Sequence, residues 1–274
     1  MTLISLLLVL LVERVTTKSS YWQADLYVKK YLEGAEKLNK SADASASWNL
    51  LLLIIVPSLI LYLALHKLSG GLLELILSTG ILMICVGCPA VRKTYKGFLQ
   101  AANRGDLQAC SLYAEQISEP DQGMECFGQN LVWQNYRHYA AIILWFTALG
   151  AAGAMLYVLA RSVQERYADR GKKAAETANN IMHILDWLPV RITALGFLLV
   201  GHFSRAFPVW LGYFSDTAVS AKTLLIKVSK QAEEIEPDED DCTEEPCTLV
   251  RLAKRNIMFL MVVIAILSLS GWIN

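Results

Sequence analysis

Four stretches of the chain are apolar for long enough to matter to a membrane. Leu50 to Leu65 is almost wholly Leu, Ile, Val and Ala, with Trp48 and Tyr62 near its ends. Leu72 to Val91, Tyr139 to Ala160 and Ile257 to Ile273 repeat the pattern, the last preceded by Arg251, Lys254 and Arg255. Roughly 20 helical residues cross about 30 Å of hydrocarbon, and lipid offers open backbone no hydrogen-bond partner. Each stretch is therefore predicted as a transmembrane helix. Residues 66–71 are few enough to be only a tight turn, so the first two spans form a helical hairpin.

Two further apolar segments are interrupted. Met1 to Val12 ends at Glu13-Arg14. It has neither the basic start nor the small-residue end of a signal peptide, and predicts a retained half-length helix of about 18 Å. Leu188 to Phe214 carries Arg191, His202 and Arg205 and is interrupted by Pro208. It fits a re-entrant pair of half-helices better than one clean span; such backbone must be buried in protein or line a wet cavity. Pro189 favours a helix start, which Asp186 would cap. Arg191 then falls in the first turn, near Asp186 or an acid from another helix such as Glu13.

Between the spans, polar and apolar positions alternate at helical spacing. Trp22, Leu26, Tyr31, Ala35 and Leu38 share one face of 22–38, predicting an amphipathic helix on the membrane or the bundle. Tyr95, Phe98, Leu99, Ala102, Cys110, Tyr113 and Ile117 do the same over 95–117, with a turn at Arg104-Gly105-Asp106 and Asp106 as a cap. Residues 231–247 hold nine acids and read as a disordered linker. The expected organisation is a membrane helical domain over 1–230, the acidic linker 231–247, and a last helix in 248–274 that joins the same bundle. The fold class is thus all-α, a polytopic membrane helix bundle with a short N-terminal half-helix, a re-entrant helical pair and interfacial amphipathic helices.

Composition agrees. The chain is 54% hydrophobic and 18% charged, with mean hydropathy +0.38, against about half and a quarter for soluble domains. Balanced charge, 25 basic against 25 acidic residues, argues against a nucleic-acid partner. Basic residues near span ends nearly balance as well: Arg14, Lys18, Arg92, Lys93 and Lys96 face Lys67, Arg161, Arg166, Arg170 and Lys172. The positive-inside rule therefore sets no orientation.

Motifs for chemistry are sparse. There is no phosphate loop, no GxSxG elbow and no HExxH. Cys85-Val86-Gly87-Cys88 ends an apolar span, where nothing stabilises a thiolate. The six Cys lack zinc-ligand spacing, and His66, His138, His183 and His202 lie in four separate segments. No metal site or cofactor is expected. Gly150-Ala151-Ala152-Gly153-Ala154 reads as a close helix-packing surface.

Ionisable residues in or near lipid remain: Glu13, Arg14, Glu74, Asp186, Arg191, His202 and Arg205. Such residues face a bundle interior or a wet cavity. The densest group, Asp186-Trp187-Leu188-Pro189-Val190-Arg191, admits two readings: a polar pocket holding an anion through Arg191, or an ion pair and cap that fixes the re-entrant element.

The Glu13-Arg14 end of the first helix, Ala101 to Asp106, Leu131-Val132-Trp133-Gln134-Asn135-Tyr136-Arg137, His183 to Arg191 and Gly201-His202 resemble the AmpE family of inner-membrane regulators linked to β-lactamase induction. That family is similar to the CobD/CbiB membrane proteins of cobalamin biosynthesis, which join aminopropanol to a corrinoid acid. The shared parts are Arg104-Gly105-Asp106, the Phe146 to Tyr157 span, and Pro189-x-Arg191. The synthases carry ENxxD-type and NTxDS-type motifs where this chain has Asn135 to Tyr139 and Arg161 to Gln164, and a paired Asp where it has Met182-His183. Holding Mg²⁺ and a nucleotide needs such acids. The resemblance therefore implies a scaffold without synthase chemistry. It implies a multi-pass regulator in the bacterial inner membrane, partnered by an AmpD-type anhydromuropeptide amidase, with a muropeptide or nucleotide as ligand. Candidate pocket residues are Asp186, Arg191, Glu13, Arg14, His202, Arg104 and Asp106. A residual synthase-type enzyme and a muropeptide or small-molecule permease are the alternatives.

Overall fold

A computed structural model describes residues 2–16, 22–38, 47–67, 71–117, 127–168, 171–235 and 242–272. Among them there is no strand. The helices are α1 (Thr2–Val15), α2 (Ala24–Leu38), α3 (Ser47–Lys67), α4 (Leu72–Cys85), α5 (Pro89–Ala102), α6 (Leu107–Glu115), α7 (Phe127–Asn135), a π turn (Tyr136–Ala140), α8 (Ala141–Tyr167), α9 (Lys172–Val200), α10 (Phe203–Phe214), α11 (Ala221–Ala232) and α12 (Glu244–Leu269). They form two compact units. One takes Met1–Gly87, Ala141–Asp186 and Ile264–Asn274; the other takes Cys88–Ala140 and Trp187–Val263.

In the first unit, α1, α2, α3 and α4 all pack on α8. Ile142, Ile143, Phe146, Tyr157 and Val163 give α8 a fully buried stripe. Thr79 on α4 donates to Ser5 on α1 at 2.9 Å. The Tyr31 hydroxyl of the amphipathic α2 donates to the Leu53 carbonyl at 3.2 Å. Leu52, Ile55, Leu59, Ile60 and Leu63 of α3 point outward, which suits a lipid solvent and not water. The small-residue stretch of α8 does more than pack. Gly150 has φ 65° and ψ −154°, so the helix breaks there; a Cβ would be strained in that region. Beyond the break, Gly153 lies against the Trp145 carbonyl, where a Cβ would overlap it.

In the second unit, α5 and α6 pair around Phe98, Cys110 and Phe127, with the two Phe rings 4.3 Å apart. Gly97 permits the approach, since a Cβ there would sit 2.6 Å from the Tyr113 ring. As expected, Asp106 caps α6, accepting from the Ala109 amide at 3.0 Å. Burial pushes the Cys110 thiol above its ordinary range, and neighbouring Cys242 adds to it. Asn256 of α12 donates to the Thr193 carbonyl of α9 at 3.3 Å. Its Oδ1 rests where a Cβ on Gly196 would be, so the two helices meet at backbone distance.

Several expectations are corrected. Leu72 to Val91 is not one helix: α4 stops at Cys85, and α5 starts at Pro89 after Cys88 as its N-cap. Proline suits a first helical position, where the amide it lacks would have no helical partner. Conversely, Pro189 starts nothing. It lies inside the 29-residue α9, so Asp186 is mid-helix and not a cap. Pro208 likewise lies inside α10 and breaks nothing. Membrane helices tolerate proline more readily than soluble ones. The break falls instead at Gly201-His202. A Cβ on Gly201 would overlap the Ala232 carbonyl, and that carbonyl accepts the His202 amide at 2.8 Å. The end of α11 thus replaces the next turn of α9.

Among the described residues, Trp48–Lys67, Phe127–Tyr167, Lys172–Val200 and Glu244–Leu269 are long and apolar enough to cross a membrane; α4 with α5 makes a fifth span if the broken pair counts as one. Of the acidic segment, Gln231 and Ala232 end α11 and Glu244 starts α12. Glu233 pairs with Arg255, and Glu234 with Arg205 at 2.6 Å. Residues 236–241 lie outside the described residues.

Candidate functional site

The first unit contains a polar seam between α8 and α9, buried at Tyr157, Arg161 and Asp186, half-buried at Gln164 and exposed at Asn179. Side chains four and seven or eight residues apart share a helix face, so α8 presents Tyr157, Arg161, Gln164 and Glu165 in one line. Asn179 and Asp186 occupy a line on α9. The Tyr157 hydroxyl donates to Asp186 Oδ1 at 2.9 Å, and Gln164 Nε2 donates to Asn179 Oδ1 at 2.9 Å. Between these rungs lies Arg161, only 2% exposed. Its guanidinium is 3.6 Å from Asp25 of α2 and 3.9 Å from Glu165. Burying a lone guanidinium would be prohibitive, so acids must accompany it. Both of these acids keep more than half their side-chain area in solvent. The seam therefore carries one buried cation whose counter-charges are reachable from water.

In the second unit, Arg191 is a clamp. The sequence puts it at the end of Asp-Trp-Leu-Pro-Val-Arg, and the structure shows what each donor does. Nη1 donates to the Trp187 carbonyl at 2.8 Å, Nε to Phe214 at 2.7 Å, and Nη2 to Asp216 at 2.7 Å. The last carbonyls of a helix have no amide of their own. Arg191 supplies that missing donor to the end of α10. Its guanidinium also lies 4.3 Å over the Trp187 ring, and Trp210 Nε1 donates back to the Arg191 carbonyl at 3.3 Å. A planar fork spreads its donors over three nitrogens and so reaches three separated carbonyls; a lysine's three protons all leave one nitrogen.

The other candidates fall in different places. Asp186 takes the tyrosine hydroxyl in the first unit, and Glu13 is buried on α1 beside the exposed Arg14. Asp106 is occupied as the α6 cap, and Arg104 is exposed in the turn before it. His202 is exposed and N-caps α10 without a side-chain bond. Neither Arg104, Asp106 nor His202 enters the Arg191 network. Among the described residues, no three His, Cys, Asp or Glu side chains come together to hold a metal ion.

Two features escaped the sequence reading. Arg161 was counted as a charge outside the third span, yet α8 continues to Tyr167 and buries it. Its spacing from Tyr157, continuing the apolar stripe, was the available signal. Arg137 and His138 are buried in the π turn, with Arg137 5.7 Å from the Trp133 ring centroid. Nothing in the local sequence marks a π turn, a feature frequent at functional sites.

Broken apolar helices, buried ionic side chains and exposed apolar flanks define a multi-pass helical membrane protein. The chain belongs to the AmpE family: the model described as "Regulatory signalling modulator protein AmpE" matches residues 1–273. It is 27% identical to Protein AmpE of Shigella flexneri over 289 residues, covering 99% of both chains. It is also 30% identical to the cobalamin biosynthesis protein CobD of Chromobacterium violaceum over 172 residues, or 58% of this chain and 53% of that one. No solved structure matches it.

Proposed function

We propose that the protein is a non-enzymatic regulator in the bacterial inner membrane. It modulates β-lactamase induction and peptidoglycan-recycling signals together with an AmpD-type anhydromuropeptide amidase. The observation that supports this most is how Arg191 uses its donors. A residue poised for catalysis would face a substrate; this one holds the free carbonyls of α10. An anionic ligand, a muropeptide or a nucleotide, gains Arg191 only by displacing the Phe214 and Asp216 carbonyls. Ligand binding and release of the α10 end are then one exchange, and the released end is the signal. Asp186, with Tyr157, ties α8 to α9 in the first unit.

The partial likeness to CobD supports a common scaffold. Asn135 to Tyr139 and Arg161 to Gln164 hold no acid, and the former runs from the end of α7 into the π turn, where Arg137 and His138 are buried. This favours a relay over a synthase. The test is purification of the native complex, with mass spectrometry for protein and small molecule. Recovery of the amidase with an anhydromuropeptide or nucleotide supports the proposal. Recovery of neither, together with no thermal shift on adding these ligands, refutes it, as does Mg²⁺-dependent nucleotide turnover lost in Arg191→Ala.

A further inference from the structure

The α10–α11 pair is not explained by the Arg191 clamp. At 12 residues, α10 is about 18 Å long, too short to cross about 30 Å of hydrocarbon. Yet Phe203, Phe207, Leu211 and Phe214 are exposed along it. Its aromatic rings run in a ladder: 5.1 Å from Phe203 to Phe207, 6.4 Å on to Trp210 and 4.7 Å on to Phe214. A short helix with an aromatic face belongs at the membrane–water interface. Beside it lies an open groove of about 540 Å³. Pro208, Val209, Gly212 and Tyr213 of α10 form one wall, and Lys227, Lys230 and Gln231 of α11 the other.

The groove is apolar on one side and cationic on the other. Lys227 donates to the Tyr213 hydroxyl at 2.7 Å and lies 4.8 Å over that ring. An ammonium has three protons, so two remain to be used. Lys230 is 3.9 Å from Glu245, beyond hydrogen-bond length, and that same carboxylate oxygen already accepts from Gln129 at 3.3 Å. Over residues 203–235, Glu234 neutralises Arg205 and Glu233 pairs with Arg255, which leaves Lys222, Lys227 and Lys230 against Asp216. Both lysines are three residues apart on one helix face, spaced to share one anion.

We propose that this groove binds an anionic phospholipid. Its phosphodiester lies between Lys227 and Lys230, and its acyl chain covers Pro208, Val209 and Gly212 next to the aromatic ladder. The lipid class follows from charge complementarity and from an apolar wall that a free phosphate would leave bare. A zwitterionic headgroup would set its own cation against the lysines.

The experiment uses the delipidated full-length protein in mild detergent. Thermal unfolding is followed with added phosphatidylglycerol, phosphatidylcholine or inorganic phosphate, and native mass spectrometry counts retained lipid. Phosphatidylglycerol is expected to raise the unfolding temperature; the other two are not. Lys227→Ala with Lys230→Ala is expected to weaken phosphatidylglycerol binding on the order of 30-fold, from the known gain per basic residue near an anionic surface. Gly212→Leu keeps both charges and meets nothing at its Cβ; it fills the groove and should also abolish the shift. Lys222→Ala, outside the groove, should keep it. Equal shifts with both lipids, the same shift with inorganic phosphate alone, or a full response in Gly212→Leu would overturn the proposal.

Discussion

Replacing Arg191 with methionine removes the clamp while keeping an apolar stem of similar reach. The magnitude can be worked from the two carbonyls it holds at the end of α10, one on the last helical residue and one just past it. Hydrogen bonds to a charged donor contribute about 1.5–3 kcal/mol each. The guanidinium reaches Phe214 and Asp216 at 2.7 Å apiece. Both residues are partly solvated, so water replaces some of the loss, and about 2–3 kcal/mol of local stability is the reasonable figure for the pair. Local opening governs amide exchange. At 1.4 kcal/mol per factor of ten, exchange across residues 203–218 should accelerate about 30- to 150-fold. Hydrogen-exchange mass spectrometry on nanodisc-embedded protein reads this directly. The α5–α6 peptides, held around Phe98 and Phe127, serve as the internal control and should not change. Arg191→Lys keeps the charge but cannot bridge three carbonyls, so it should fall between. If Arg191→Met leaves exchange over 203–218 within about twofold of wild type, the clamp does not hold α10, and the reasoning fails.

Other consequences follow from the same packing. Tyr157→Phe leaves Asp186 without its phenolic donor and should lower stability by about 1–3 kcal/mol in detergent unfolding; an unchanged midpoint would show the seam is not formed. Gly196→Ala forces its methyl onto Asn256 Oδ1 and should destabilise by about 1–3 kcal/mol, a loss that Asn256→Ala in the same chain should partly relieve. Cys110, fully buried and with its thiol pushed upward by that burial and by Cys242, holds less thiolate than an ordinary cysteine at any pH below its raised value. Maleimide labelling should therefore be slow at neutral pH and rise only above the usual thiol range, as mass spectrometry of the labelled peptide can check; rapid labelling at pH 7 would contradict the placement.

The apolar runs made the membrane class and the amphipathic helices legible, because their spacing is set by lipid thickness and helical period. α2 and the α5–α6 turn with its Asp106 cap fall where the pattern put them. Proline was the weak guide. It was read as a boundary at 189 and 208 and as nothing at 89, and the structure reverses all three. Whether a proline breaks a membrane helix depends on which neighbours compensate it, and sequence spacing does not reveal that. Gly201 ends α9 because the Ala232 carbonyl, 31 residues on, comes in against it; only tertiary structure brings those two together. Arg191 stood out in the sequence as a costly charge in an apolar run. Its partners did not, because they are backbone carbonyls of Phe214 and Asp216, and carbonyls carry no residue signature.

The most direct test of the account is β-lactamase output in a strain lacking this protein and complemented with defined variants. Membrane levels are measured by immunoblot in the same cells. Wild type should restore the basal and induced enzyme levels, and Arg191→Met, present in the membrane in equal amount, should not. Full complementation by Arg191→Met, or induction unaltered by the deletion itself, would contradict a regulator that works through the Arg191 grip on α10.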